Sequence, residues 1–70
     1  MAKFKNLEAE MVRCGLKNED LAEELSITPH TVRRILNGEI GVAIDKARII
    51  QRKINATANA DFTIDFLFAE

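Results

Sequence analysis

Apolar residues along the chain recur at spacings of three and four, the period of a helix buried on one side. Phe4, Leu7, Met11 and Cys14 make the first such stripe, and Gly15, which enters the left-handed region without strain, predicts its end. The segment from Asn18 to Leu25 repeats the pattern: Leu21, Ala22 and Leu25 are apolar, while Glu19, Asp20, Glu23 and Glu24 fall on the water side. A compact break follows at Ser26-Ile27-Thr28-Pro29. Thr28 is a good N-cap, and Pro29 suits the first helical position because its missing N–H is not needed there. The third helix therefore starts at Pro29, turns Val32, Ile35 and Leu36 inward, and stops at Asn37-Gly38. Glu39 to Val42 reads as a loop. Ile44, Ala47, Ile50 and Ile54 then mark a fourth helix, Asn55 to Asp61 a small polar connection, and Thr63 the cap of a last short helix holding Ile64, Phe66, Leu67 and Phe68. Phe62-Thr63-Ile64 could be extended, but it has neither a hairpin turn nor a partner segment. The expectation is an all-α fold, a compact bundle of five short helices.

At 70 residues the chain holds one domain, expected over residues 1–70. A domain of this size buries only about 60% of the surface its unfolded form exposes, so its stability margin is thin. Cys14 is the sole cysteine and cannot form an internal disulfide, and no Cys/His spacing suits zinc. Helix packing or a partner must supply the difference. The longest apolar runs are far too short to span a membrane, and no signal-peptide region stands at the N-terminus, so a cytoplasmic protein without a membrane partner is expected.

A formal net charge of -1 does not advertise a nucleic-acid binder, but the charge is unevenly distributed. Residues 1–32 carry four basic and six acidic side chains, residues 33–53 six basic and two acidic, and residues 54–70 three acidic and none basic. Positive charge is confined to the middle of the chain. By itself such an imbalance is ordinarily a solvated mixed surface. On a helix turning about 100° per residue, however, the Val32, Ile35, Leu36 stripe lies opposite His30, Arg34 and Asn37, with Arg33 on the flank. An Arg fork can take guanine O6 and N7 together or clamp a phosphate.

Two short helices joined by a tight break, the second opening on Thr-Pro and carrying two outward arginines, form the helix-turn-helix pattern, here over about residues 18–37. Gly15-Leu16, Glu19-Asp20-Leu21-Ala22-Glu23-Glu24-Leu25, Ile27-Thr28, Val32, Ile35 and Asn37-Gly38 together resemble the Cro and phage-repressor type of helix-turn-helix family. The tail Thr63-Ile64-Asp65-Phe66-Leu67-Phe68 is similar to that family's closing helix. The resemblance implies a lambda-repressor-like DNA-binding domain, a small bacterial or phage-encoded transcriptional regulator at the nucleoid, with double-stranded DNA as partner. It implies that Pro29, His30, Thr31, Arg33 and Arg34 face bases and that Asn37 and Gly38 meet phosphate. Lys46 and Arg48 are further candidate phosphate contacts. Asn18 stands where the family usually has a phosphate-touching Gln, and it is also placed to cap the second helix. Ser26 replaces a common turn Gly. Met11 and Leu36 stand where members often pair an Arg with a Glu; both partners being apolar keeps the core coherent, because a lone replacement would strand a buried charge.

Each signal has an ordinary alternative. An Arg pair on a helix is usually solvated, and only its place just after the Thr-Pro start reverses that reading. His30 has no second ligand at metal spacing, and Cys14 on an apolar stripe is a small core residue rather than a nucleophile. Lys46, Arg48, Arg52 and Lys53 span more than one helical face. With no nucleophile, base and orienting group in view, the sequence predicts no enzyme, cofactor, metal or small-molecule substrate. One short recognition helix reads few base pairs, so a homodimer is expected, formed free or only on DNA. Phe62, Phe66 and Phe68 cannot all point inward from one short helix; Phe66 is the candidate for self-association, its alternative being to fold back over the loop after the fourth helix. The competing function is a protein-interaction module of the same fold, antitoxin-like or scaffold, with little DNA affinity.

Overall fold

In the computed structural model, which describes residues 3–70, five helices account for every regular element: α1 (Lys5–Cys14), α2 (Asn18–Leu25), α3 (Pro29–Leu36), α4 (Ile44–Ala58) and α5 (Ile64–Leu67). The domain expected over residues 1–70 includes Met1 and Ala2, which lie outside the described residues. The described chain has a radius of gyration of 10.6 Å. α2 packs on α3 and α4, α1 on α4 and α5, and α5 closes against α4. Every helix contributes to one core: Leu7, Leu21, Val32, Ile50, Ile54 and Leu67 are its fully buried side chains. Met11 and Leu36, both apolar where a charged pair was the alternative, are buried in the same cluster.

The C-terminal ends of α1, α2 and α3 share one device. After α1, the Gly15 amide donates to Val12 O and the Leu16 amide to Met11 O, with Gly15 at φ 76°. After α2, Ser26 and Ile27 donate to Glu23 O and Ala22 O, and after α3, Gly38 and Glu39 donate to Ile35 O and Arg34 O. These are paired bonds across a left-handed residue, the Schellman arrangement. In α1 and α2 the residue just past the left-handed one returns as an apolar side chain over the last turn, Leu16 over Met11 and Ile27 over Ala22. Ser26 adopts φ 57° although it has a Cβ, which costs about 1–2 kcal/mol for an L-residue.

Two boundaries differ from the sequence reading. Lys17, not Asn18, is the N-cap of α2; Asn18 is its first helical residue, and the Asp20 carboxylate accepts the Lys17 N–H at 2.8 Å. An ammonium has no lone pair, so Lys17 cannot return the bond as a capping Ser would. The polar segment after Ile54 also stays helical as far as Ala58. Thr57 Oγ1 donates to Lys53 O at 2.8 Å, the alanines favour helix, and Asn59 makes the left-handed stop at φ 52°. Asn55 has a tertiary task instead of a loop role. Its Nδ2 donates to Phe62 O at 3.1 Å and its Oδ1 accepts from Phe62 N at 2.9 Å, while Gln51 Nε2 donates to the same carbonyl at 2.8 Å. This clasp fixes the approach to α5, whose first turn Thr63 caps by accepting from Phe66 N.

The chain ends meet beside α3. Lys3 N and Phe4 N both donate to Leu36 O, at 2.7 and 3.4 Å, which satisfies a carbonyl that a helix end leaves open. Phe4 packs edge-on against Phe68, and Lys3 Nζ lies 2.7 Å from Glu70.

Two stability changes are expected. Ser26→Gly relieves the left-handed strain and, after the added chain entropy of glycine, stabilises by about 0.5–1 kcal/mol, read as a higher urea midpoint at unchanged slope. Asn55→Ala strands the Phe62 N–H and destabilises by about 1–2 kcal/mol; an unchanged midpoint in that variant would remove the clasp from the account.

Candidate nucleic-acid interface

α3 is anchored on its inner side and at both ends, leaving one side to solvent. Val32, Ile35 and Leu36 are buried, and the Thr28 hydroxyl accepts from Thr31 N at 3.2 Å at the N-terminus. The Gly38 turn and the Lys3–Phe4 segment close the C-terminus. Gly38 is favoured by its φ of 77°, where a Cβ is strained, and a Cβ there would also force the Lys3 side chain to move aside. With these constraints His30, Arg33 and Arg34 are exposed and Asn37 half-exposed. The i, i+4 pairs His30/Arg34 and Arg33/Asn37 run side by side up the helix.

The remaining expected base-facing residues are less available. Pro29 is exposed at the first helical position, where its ring offers only apolar contact. Thr31 is half-buried, and its hydroxyl shares a 2.9 Å hydrogen bond with that of Thr28, so it belongs to the cap. The turn after α3 likewise has its backbone amides already engaged. The Asn37 amide donates to Arg33 O and the Gly38 amide to Ile35 O. The Asn37 side-chain amide is the remaining polar group at this position, and one of its N–H groups already donates to Glu39 Oε2 at 3.3 Å.

Other candidate phosphate contacts are dispersed. Asn18 and Arg33 line one depression of about 300 Å³ together with Glu8, Met11, Val12, Leu16 and Leu36, so the start of α2 and the flank of α3 form a continuous surface. Lys46 is half-buried and Arg48 exposed; two residues apart on α4, they project about 200° from each other and cannot serve one face together. Lys53 is paired with Glu24 across α2 and α4 at 3.4 Å. Phe66 is 40% exposed and stacks on Phe62 with ring centroids 5.3 Å apart. The ring thus lies against one residue of the connection after α4 without joining the core, and much of it faces solvent.

One participant was not legible in the sequence. Glu39, in the segment read as a plain loop, places Oε1 3.9 Å from Arg34 Nε and Oε2 3.3 Å from Asn37 Nδ2. The signal was present in the spacing, because a Gly stop of this type returns the residue after the glycine over the one five positions earlier, here Glu39 over Arg34.

Two further open surface depressions are lined by Glu24, Ile49, Arg52, Lys53 and Ala56 (about 410 Å³) and by a group around Glu10, Cys14 and Phe62 (about 360 Å³). Among the described residues no three His, Cys, Asp or Glu side chains group closely enough to hold a metal ion, and no helix is long and apolar enough to cross a membrane. No family model, curated protein or solved structure matches the chain.

Proposed function

We propose that α2, the Ser26–Thr28 turn and α3 act as a helix-turn-helix, and that the chain is a small transcriptional regulator, of the phage-repressor kind, that binds double-stranded DNA through the outer face of α3. The observation that carries this reading is the two-sidedness of α3: an eight-residue helix with a fully committed apolar side, capped at both ends, whose other side presents His30, Arg33, Arg34 and Asn37. Eight residues span roughly 12 Å, close to the width of the major groove. Arg34 is the base reader, since it lies opposite the buried stripe and its fork matches guanine. Arg33 and Asn18 share a flank suited to one phosphate, and the Asn37 side chain to another. Lys46 and Arg48 add attraction at longer range.

A single helix of this length reads few base pairs, so function calls for a second copy on an adjacent half-site. The exposed part of Phe66 is the proposed contact between copies.

Binding is expected to weaken linearly in log affinity against log salt, with a modest slope corresponding to about three to five phosphate contacts. Fluorescence anisotropy with a duplex selected from a random pool and a scrambled control then separates the roles. Arg34→Ala lowers the preference for the selected duplex about tenfold or more, whereas Asn37→Ala weakens both duplexes alike. A preserved preference ratio in Arg34→Ala would take base reading away from Arg34. Absence of binding to any duplex at low salt would favour the interaction-module function. For self-association, the wild type sediments as a dimer at high concentration and Phe66→Ser as a monomer; a monomeric wild type would reject Phe66-mediated pairing of the free protein.

A further inference from the structure

The geometry points to Glu39 as a specificity-determining residue: its carboxylate restrains Arg34 and Asn37 and so suppresses binding to duplexes that offer Arg34 no guanine. This inference rests on the proposal that α3 binds DNA.

Three features of the structure converge on it. The first is the break in a pattern that the chain otherwise keeps. α1 and α2 end with an apolar residue folded back over an apolar partner, Leu16 over Met11 and Ile27 over Ala22, as helix stops of this type usually do. At the end of α3 the same backbone bonds, Gly38 N to Ile35 O and Glu39 N to Arg34 O, bring two charged side chains together. Secondly, the acid is placed against the local field. The C-terminus of a helix carries partial negative charge and favours cations there, so a carboxylate at this point is not explained by helix stability. Thirdly, Glu39 accepts a hydrogen bond from Asn37 Nδ2 at 3.3 Å and stands 3.9 Å from Arg34 Nε, an electrostatic contact without a hydrogen bond, with the Arg34 and Glu39 side chains about half exposed. The backbone bond from Glu39 N to Arg34 O, 2.9 Å long, fixes the Glu39 main chain beside the last turn of α3, within side-chain reach of Arg34.

The consequence differs between right and wrong sequences. The carboxylate lies nearest Nε, so the two terminal nitrogens of Arg34 remain able to form a bidentate pair with guanine. On such a site Arg34 bridges Glu39 and the base, and little is lost. On a sequence without that guanine, the favourable alternative for a free arginine would be a backbone phosphate. Glu39 competes for the guanidinium and repels that phosphate, so the unspecific mode is penalised more than the specific one.

Glu39→Gln tests this while conserving shape and leaving the core untouched. In anisotropy titrations the variant is expected to bind the scrambled duplex about five- to tenfold more tightly than the wild type, and the selected duplex no more than about twofold more tightly. Its salt slope on the scrambled duplex should steepen by about one, as Arg34 takes up a phosphate. In the double variant Glu39→Gln with Arg34→Ala, that steepening is expected to disappear. Equal gains on both duplexes, with the preference ratio kept, would overturn the role of Glu39 while leaving α3 as the DNA-binding element. If neither wild type nor Glu39→Gln binds any duplex at low salt, the DNA-binding proposal fails and this inference with it.

Discussion

None of the five helices is long enough to persist alone in water: α4, the longest, has 15 residues and α5 only four. The structure therefore depends on one shared hydrophobic core, to which α1 gives Leu7, α2 Leu21, α3 Val32, α4 Ile50 and Ile54, and α5 Leu67, each essentially without exposure. Full burial of such a side chain is worth about 1.5–3 kcal/mol, and no helix can withdraw its share without exposing those of its neighbours. That interdependence gives α3 a fixed orientation. Its outer face is determined by what its inner face must bury.

The short connections translate this constraint into a surface. Left-handed stops at Gly15, Ser26, Gly38 and Asn59 reverse the chain within a few residues, and each spends backbone amides that would otherwise be free. At the end of α3 the Gly38 amide is committed to Ile35 O, which in the proposed DNA-binding mode leaves phosphate contact to side chains; the same turn carries Glu39 to Arg34. The net charge of -1 is compatible with the proposed DNA binding because Arg33 and Arg34 sit on the exposed side of α3, while Glu24 of α2 is paired with Lys53 of α4.

Much of the helical order was legible because it is written in local chemistry. Apolar spacing placed all five helices, Thr28 and Thr63 announced their caps three residues before the amides they accept, and Gly15 and Gly38 marked their stops. What escaped involves side chains acting on distant or unexpected backbone. Asn55 has the composition of a loop residue, yet it lies within α4, and its side-chain amide holds both the N–H and the carbonyl of Phe62 seven positions later. Asn18 is a better intrinsic cap than Lys17, but the Asp20 carboxylate stabilises the Lys17 N–H and shifts the boundary by one residue. At the candidate interface, angular position correctly separated buried Val32, Ile35 and Leu36 from exposed His30, Arg33 and Arg34. It could not show that the Thr31 hydroxyl is tied to its cap or that Glu39 engages Arg34, since both depend on rotamers and on the turn's closure.

The central claim is that the solvent side of α3 is a DNA-contacting surface. It is tested most directly by recording amide and arginine side-chain NMR spectra of the full chain while a selected duplex is added. The account predicts the largest shifts at His30, Arg33, Arg34, Asn37 and the Arg34 Nε–H, with little change along α5. Shifts confined to the exposed Ile44 or the Phe62–Phe66 surface, or none at low salt, would contradict it.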